Sequence, residues 1–312
     1  MIITVTLNPA IDKTAELANL QVGELNRMQN VITDISGKGI NVSKMINNLG
    51  GTSVATGFIG SDSYEDIVNT LQGMGIETDF VKSQGTTRTN LKIIDSDGRL
   101  TELNEPGITV TESEITKLLE SIAKRAVPNT IFVLSGSLCQ GVDSEFYAKL
   151  IRIIHNHQGL AFLDADGDAF KAAIMEKPDF IKPNQHELLE YFNVKEQLDL
   201  EGLKELCQRL GDMGIPKIAL SLGKEGAMFY DRNTCTYADG LNVLAHSPAG
   251  AGDSMMGAFA YGTSINLPWN EISRLSLATS AGAVTTIGTK PPSKELIDEL
   301  LPQVELRVLK VY

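Results

Sequence analysis

Short apolar segments alternate with amphipathic stretches along most of the chain. The apolar segments are rich in β-branched residues and end in Gly, Asp or Asn, which is typical of buried parallel strands. They cover residues 2–8, 53–60, 130–136, 160–166, 179–184 and 217–223. Between them, the apolar positions recur with helical spacing at 40–50, 64–75, 111–125, 145–157 and 203–214. This alternation predicts an α/β fold with a mostly parallel sheet and helices on both faces.

Two segments break the alternation. Residues 12–34 and about 86–105 alternate polar and apolar positions without a following helix, and the second contains the turn pair Asp97-Gly98. We expect them to form a small β-sheet lid inserted into one continuous domain, 1–312, because no linker or repeat divides the chain. A further hairpin pattern covers 226–240.

Composition narrows the classes of function. The chain has 312 residues, of which 42% are hydrophobic and 21% charged, as in an ordinary globular protein. A net charge of −12 argues against nucleic acid or an anionic membrane as a partner. Three cysteines, Cys139, Cys207 and Cys235, are too few and too far apart for a disulfide framework or a paired metal site. Because the first residues lack a basic leader and no apolar run is long enough to span a membrane, we expect a cytoplasmic protein.

The stretch Gly250-Ala251-Gly252-Asp253 precedes a helical pattern. Small residues let backbone N–H groups approach an anion, and a helix start adds unpaired N–H donors. A carboxylate beside such a cradle suggests a general base next to developing negative charge. The alternative is that Asp253 merely caps the helix.

A second glycine loop, Gly37-Lys38-Gly39, precedes the helix that carries Asn41. It is suited to a polar ligand, or it is a plain glycine turn. Neither loop matches the P-loop or the dinucleotide fingerprint Gly-x-Gly-x-x-Gly, which disfavours a nucleotide-cofactor oxidoreductase.

Seven short motifs occur in an order that resembles the ribokinase, or PfkB, family of sugar kinases. They are TVTLNPAID (4–12), GKGINVSK (37–44), TTRTNLK (86–92), SGSL (135–138), IKPNQHEL (181–188), SLGKEGA (221–227) and GAGDSM (250–255). The resemblance implies a ribokinase-like three-layer α/β/α fold with a β-sheet lid. It also implies ATP and Mg²⁺ as cofactors, a sugar phosphate as the partner and a homodimer formed through the lid.

The motifs are most similar to the branch of the family that acts on phosphorylated ketohexoses. We therefore expect phosphoryl transfer from ATP to the free primary hydroxyl of fructose 1-phosphate, with tagatose 6-phosphate as the alternative substrate. A catalytically silent sugar-phosphate sensor on the same fold is the alternative function.

The family pattern, carried over position by position, implies a role for each matched residue. Asp253 becomes the catalytic base, and the amides of Ala251, Gly252 and Asp253 after Gly250 become the anion hole. The substrate-binding residues are Asp12 at the end of the first strand, Gly37, Lys38, Gly39, Asn41, Arg88 and Ser137. The ATP-binding residues are Asn184, Ser221, Leu222, Gly223, Lys224, Glu225, Gly226 and Gly252, with adenine near 278–283. Glu187, acting through water, and Asn184 are the metal-site residues.

Other interpretations remain open at several of these positions. Asp12 also suits an exposed turn, Arg88 a solvated hairpin and Ser137 a helix cap. Asn184 and Glu187, three residues apart, also fit a capping box. The chain departs from the family pattern at Ser36, at Ser247–Ala249 and at Asp164–Asp168, all of them close to the expected site.

Overall fold

The structure of the chain is a computed structural model that describes residues 1–232 and 234–309. The strands are β1 (Ile2–Thr6), β2 (Ala10–Glu16), β3 (Gln29–Ser36), β4 (Val54–Gly60), β5 (Glu77–Ser83), β6 (Arg88–Ile94), β7 (Leu100–Asn104), β8 (Ile131–Ser135), β9 (Leu160–Asp164), β10 (Phe180–Ile181), β11 (Lys217–Ser221), β12 (Gly226–Asp231), β13 (Thr234–Asp239) and β14 (Arg307–Leu309). The helices are α1 (Lys38–Asn48), α2 (Tyr64–Gly73), α3 (Glu112–Arg125), α4 (Phe146–Asn156), α5 (Gly167–Ile174), α6 (Gln185–Tyr191), α7 (Leu200–Asp212), α8 (Ala251–Ser264), α9 (Trp269–Ala283) and α10 (Lys294–Leu300).

Within the described residues, ten strands form one sheet in the order β14-β13-β12-β11-β10-β9-β8-β1-β4-β5. The strands from β11 to β5 pair in parallel, whereas β12, β13 and β14 are antiparallel additions at one edge. All six apolar segments become strands of this sheet, and the predicted α/β class is confirmed. The segment 179–184 is the shortest, with two strand residues, because Pro183 has no N–H group to donate to a neighbouring strand.

Helices cover both faces of the large sheet, which gives three layers. On one face, Leu118 of α3, Ile151 of α4 and Leu206 of α7 belong to a core that also contains Val5 and Leu134. A second core contains Met255 and Phe259 of α8 together with Leu277 of α9. Because the central strands are buried on both sides, they consist of continuous apolar residues, as β1 and β8 do.

The small sheet has the strand order β3-β2-β6-β7, in which β2 and β6 are parallel and the two outer pairings are antiparallel. Its strands lie in the two segments expected to form a lid, although β2 begins at Ala10 and β3 ends at Ser36. The hairpin between β6 and β7 turns at Asp97-Gly98, where Gly98 has a φ of 75°. Asn233 and residues 310–312 of the expected domain 1–312 lie outside the described residues.

Over the described ranges, no helix is both long and apolar enough to cross a membrane.

Candidate active site

A cavity of about 820 Å³ lies between the small sheet and the carboxyl ends of the parallel strands. This is the edge at which ligands bind in open α/β sheets. The predicted site residues that line it are Asp12, Gly37, Lys38, Asn41, Arg88, Asn184, Glu187, Ser221, Gly223, Lys224, Gly226, Gly250, Ala251, Gly252 and Asp253. Four others do not line it: Gly39 and Leu222 are buried behind residues that do, whereas Glu225 and Ser137 are exposed.

The N-terminus of α8 opens directly into this cavity. Gly250 precedes the helix with a φ of 81°, a conformation that favours glycine. The amides of Gly252 and Asp253 lie in the first turn, where N–H groups have no acceptor within the helix. The amide of Ala251, expected to belong to the same cradle, makes a long 3.5 Å bond to the carbonyl of Pro248. Among the residues that the structure describes, the cradle therefore offers two N–H groups without an acceptor.

Asp253 is buried at the third position of α8, and within the described residues its side chain makes no hydrogen bond to the start of this helix. Its Oδ2 instead accepts a hydrogen bond of 2.8 Å from the side-chain amide of Asn41. Burial raises the pKa of Asp253, the charge of Asp164 adds to the rise, and Lys38 and the Asn41 hydrogen bond oppose it. A buried carboxylate with a raised pKa, facing a cavity, is suited to accept a proton.

Two glycines press the start of α1 against β1. A Cβ on Gly37, whose φ is 132°, would lie 2.6 Å from Thr6 Cγ2. A Cβ on Gly39 would lie 2.5 Å from Thr6 Oγ1 and 2.8 Å from the carbonyl oxygen of Val5. This close approach brings Lys38 and Asn41 to the cavity, so Gly39 acts through packing even though it does not line the cavity.

Sequence reasoning assigned no role to Asp164 and Lys182, which lie at the centre of the cavity. Asp164 is fully buried at the end of β9, and its Oδ1 accepts a bond of 3.0 Å from Lys38 Nζ. Lys182 Nζ lies 3.3 Å from the other oxygen, Oδ2. Burial alone would raise the pKa of Asp164, but the two ammonium groups outweigh it and lower that pKa. Burial alone would lower the pKa of Lys38, but the carboxylates of Asp164 and Asp253 raise it.

The signal for both residues was their position, since each directly follows or ends a strand at the ligand-binding edge. The sequence did not reveal that Asp164, at the end of β9, and Lys182, directly after β10, form an ion pair. The result is a pair of lysines held by one carboxylate, beside the N-terminus of α8. Lys182 Nζ is so close to this turn that a Cβ on Gly252 would lie 3.0 Å from it.

The small sheet contributes Asp12 and Arg88. Asp12 is not at the end of the first strand, as expected, but in the middle of β2, because β1 ends at Thr6 and the chain turns into the small sheet at Pro9. It is buried, which excludes an exposed turn. Its carboxylate accepts bonds of 2.6 Å from Lys92 Nζ and 3.1 Å from Asn90 Nδ2.

Arg88 is half-buried at the start of β6, not solvated. Its Nη2 donates to the carbonyl of Asn8 at 3.0 Å and its Nη1 to the carbonyl of Glu105 at 3.3 Å. Its Nε is buried and has no partner among the described residues. Burial lowers the pKa of Arg88, and the charge of Asp12 opposes this. The guanidinium is therefore held in place with donor capacity left over, as an anion-binding group requires.

The far end of the cavity is apolar. It is lined by Leu241, Val243, Ala245, Leu277, Ala281 and Val284. The residues 278–283, expected near an adenine, contribute Ser280 and Ala281. Between this end and Lys182 lies the short 3₁₀ turn Gly223–Glu225, followed by Gly226, whose Cβ would lie 2.0 Å from the carbonyl oxygen of Ala238. The glycine is required because two strands approach closely there.

Asn184 and Glu187 form the capping box of α6. Asn184 Oδ1 accepts from the amide of Glu187 at 2.8 Å, and Glu187 Oε2 accepts from the amide of Asn184 at 2.9 Å. Burial raises the pKa of Glu187. Its Oε1 makes no hydrogen bond within the described part of the chain and Glu187 lines the cavity, so it can still accept from a metal-bound water. The searched residues contain no cluster of three His, Cys, Asp or Glu that could hold a metal by itself.

Comparison with known proteins identifies relatives along the whole chain. The model of the pfkB family of carbohydrate kinases matches residues 5–296. The 1-phosphofructokinase of Vibrio cholerae serotype O1 is 30% identical over 308 residues, which are 99% of this chain and 97% of the relative. That of Bacillus subtilis (strain 168) is 31% identical over 306 residues, 98% of this chain and 99% of the relative. The solved structure of the phosphofructokinase-2 from Escherichia coli in complex with fructose-6-phosphate has a TM-score of 0.90 at 27% identity, covering 97% of this chain and 98% of that one.

Proposed function

The chain belongs to the pfkB family of carbohydrate kinases, and we propose that it transfers the γ-phosphoryl group of ATP to the C6 hydroxyl of fructose 1-phosphate, giving fructose 1,6-bisphosphate. The observation that carries the proposal is the position of Asp253. It is a buried carboxylate with a raised pKa, and it stands beside two unengaged helix N–H groups and two lysines at the middle of the cavity.

Asp253 accepts the proton of the sugar hydroxyl as the hydroxyl oxygen attacks the γ-phosphorus. The bond from this phosphorus to the oxygen bridging to the β-phosphate breaks, and ADP leaves with that oxygen. The N–H groups of Gly252 and Asp253 receive the negative charge that builds on the phosphoryl oxygens. Lys38 approaches from the sugar side and Lys182 from the nucleotide side, and Asp164 holds both ammonium groups. Catalysis of this kind depends on positioning and charge neutralisation, because phosphoryl transfer needs little covalent help from the protein.

The shape of the cavity supports an extended nucleotide at the end opposite the small sheet. Leu241, Val243 and Leu277 offer an apolar surface for a base, and the turn at Gly223 lies near the phosphates. Glu187, whose carboxylate is fixed by Asn184, would hold Mg²⁺ through water, and the ion would supply further charge neutralisation at the phosphates. Asn184 acts here through the capping box.

The sugar phosphate lies under the small sheet. Asp12 accepts from its hydroxyls, Arg88 binds its phosphate, and Asn41 and Gly37 border it. Ser137, expected to contact the same phosphate, is exposed and does not line the cavity. The relatives named 1-phosphofructokinase support fructose 1-phosphate. The likeness to a phosphofructokinase-2 in complex with fructose-6-phosphate supports that sugar phosphate as the second candidate, and tagatose 6-phosphate remains the alternative from the sequence.

The outer part of the small sheet supports a homodimer formed through the lid. Val22, Leu25 and Leu103 are exposed there, at 93%, 75% and 56%. Val22 and Leu25 lie in the loop between β2 and β3 and Leu103 on β7, and exposed apolar side chains favour contact with a second surface.

A coupled assay of ADP release tests the function. It compares fructose 1-phosphate, fructose 6-phosphate, tagatose 6-phosphate and unphosphorylated fructose at equal concentration. The highest kcat/KM is expected with fructose 1-phosphate. Preference for unphosphorylated fructose would contradict the role of Arg88, and ligand binding without any ADP release would favour the silent sensor.

A further inference from the structure

Three strands of the small sheet present polar side chains to the cavity in register. Across β2, β6 and β7, Asp12 lies opposite Asn90, and Asn90 lies opposite Asn104. Two residues along β6, Lys92 lies opposite Glu102. Side chains alternate between the faces of a sheet, so these five residues project from one face, and all five line the cavity.

The carboxylate of Asp12 is fixed from two sides. Lys92 Nζ lies 2.6 Å from its Oδ2, and the side chains of Lys92 and Asp12 are only 10% and 4% exposed. A buried ion pair contributes little to stability, since the cost of removing both charges from water offsets their attraction. Stability therefore does not account for this pair, and its location on the cavity wall indicates a role toward the ligand.

Asn90 leaves one acceptor without a partner. Because a carboxylate can only accept, the Nδ2 of Asn90 must face Asp12, at 3.1 Å, and its Oδ1 must face away. That Oδ1 is buried and finds no hydrogen-bond partner among the described residues, on a residue that is 9% exposed. Buried polar atoms are nearly always paired, so an unpaired one on a cavity wall indicates a ligand donor.

We propose that Asn90 and Lys92 complete a site for two neighbouring hydroxyl groups of the sugar phosphate. Asp12, held by Lys92, accepts from one hydroxyl, and Asn90 Oδ1 accepts from the next. Asn90 is a binding residue, and Lys92 is a positioning residue that acts through Asp12. The inference rests on the proposed function and adds the vicinal diol as the feature of the substrate that the small sheet recognises.

Steady-state kinetics of three variants test the site. Asn90→Leu is expected to raise the KM for fructose 1-phosphate about tenfold, the effect of one lost hydrogen bond, with the KM for ATP unchanged. Lys92→Met should raise the KM for fructose 1-phosphate at least as much. Lys92→Arg keeps the positive charge, so its KM should stay close to that of the wild type. The matched control is Lys13→Met, because Lys13 is exposed on the opposite face of β2. It should leave both KM values unchanged.

Deoxy substrates identify the hydroxyl. With 3-deoxy- and 4-deoxy-fructose 1-phosphate, one analogue should show the same KM for wild type and Asn90→Leu, since the bond is already missing. Equal effects of Asn90→Leu on the natural substrate and both analogues would overturn the inference, as would a rise in both KM values together with a fall in kcat. Wild-type turnover of fructose 1-phosphate is measured in the same assay. Its absence contradicts the proposed function, whereas an unchanged KM of Asn90→Leu beside an active wild type overturns the hydroxyl site alone.

Discussion

Asn41 donates a hydrogen bond of 2.8 Å to the carboxylate of Asp253, although the two residues are 212 positions apart in the chain. The bond joins the first turns of α1 and α8, the two helices that begin in glycine loops. It also fixes which oxygen of Asp253 remains free to face the cavity. The two loops thereby form one site.

Asp253→Asn should lower kcat by about three orders of magnitude and leave binding of fructose 1-phosphate nearly unchanged. The amide keeps the shape of the side chain but cannot accept the proton of the hydroxyl. Calorimetric titration and the ADP-release assay measure the two properties separately. The control is Asp166→Asn, because Asp166 is exposed just before α5 and makes no capping bond. Equal turnover by the Asp253→Asn variant and wild type would show that another group is the base.

The pH dependence of kcat/KM should have an acidic limb set by Asp253. The base must be ionised, so activity falls as the pH falls through its pKa, and burial places that pKa above the ordinary value of an aspartate. Asn41→Leu removes a hydrogen bond that favours the carboxylate form, so the limb should move to higher pH. The position of the limb is the readout, because Asn41 also borders the substrate. An acidic limb that stays at the same pH in the Asn41→Leu variant would show that a group other than Asp253 sets it.

Two carboxylates of the same cavity should affect stability in opposite directions. The pKa of Asp253 is raised in the folded state, so its ionisation costs stability as the pH rises through the unfolded and then the folded pKa value. Asp253→Asn should therefore raise Tm at pH 7. The pKa of Asp164 is lowered, so it contributes stability above its unfolded pKa that is lost as the pH falls through the folded one.

Asp164→Asn should lower the stability at pH 7 by about 3 kcal/mol, because it removes the carboxylate that both lysines contact. For a chain of this size that is a fall in Tm of roughly 5 °C. Differential scanning calorimetry at pH 7 and pH 5 measures both variants. A fall in Tm for Asp253→Asn would contradict the prediction that the buried charge of Asp253 destabilises the folded state.

Two glycine substitutions should separate packing from chemistry. Gly39→Ala places a methyl group 2.8 Å from the backbone oxygen of Val5, which cannot move away, so the folded state should be strongly destabilised. Gly252→Ala meets only the flexible end of Lys182, at 3.0 Å, so Tm should change little. It should nevertheless lower kcat by roughly two orders of magnitude, because it displaces an ammonium group and narrows the N–H cradle. Thermal melts and the ADP-release assay give Tm and kcat for both variants. An equal fall in Tm for Gly252→Ala and Gly39→Ala would contradict the distinction.

The sequence predicted those strands and helices whose hydrophobic periodicity extends over several neighbouring residues. Continuous apolar runs identified β1, β8 and β9, and the helical spacing over 111–125 identified α3, which begins at a capping box of Thr111 and Glu114. The segments expected to form a lid also contain the strands of the small sheet. Short elements such as α5 and β14 were not predicted, because a few residues of pattern do not distinguish a strand or a helix from a loop.

The candidate site divides in the same way. Asp253, Lys38 and Asn41 were found because each belongs to a short motif whose glycines have a local steric reason. Asp12 was found as well, but its strand was assigned wrongly, since the turn at Pro9 separates β1 from β2. Lys92 and Asn90 lay within a quoted motif and received no role, because only the pairing of β6 with β2 brings them to Asp12.

The sequence by itself therefore determined the layers, the glycine loops and the chemical type of the catalytic groups, all of which depend on residues close together along the chain. The tertiary structure alone decided that Asp164 holds Lys38 and Lys182, and that Asn90 carries an unpaired acceptor. Those relationships join residues on different strands, and their charges and hydrogen bonds depend on distance and burial, which are set only when the sheets pack together.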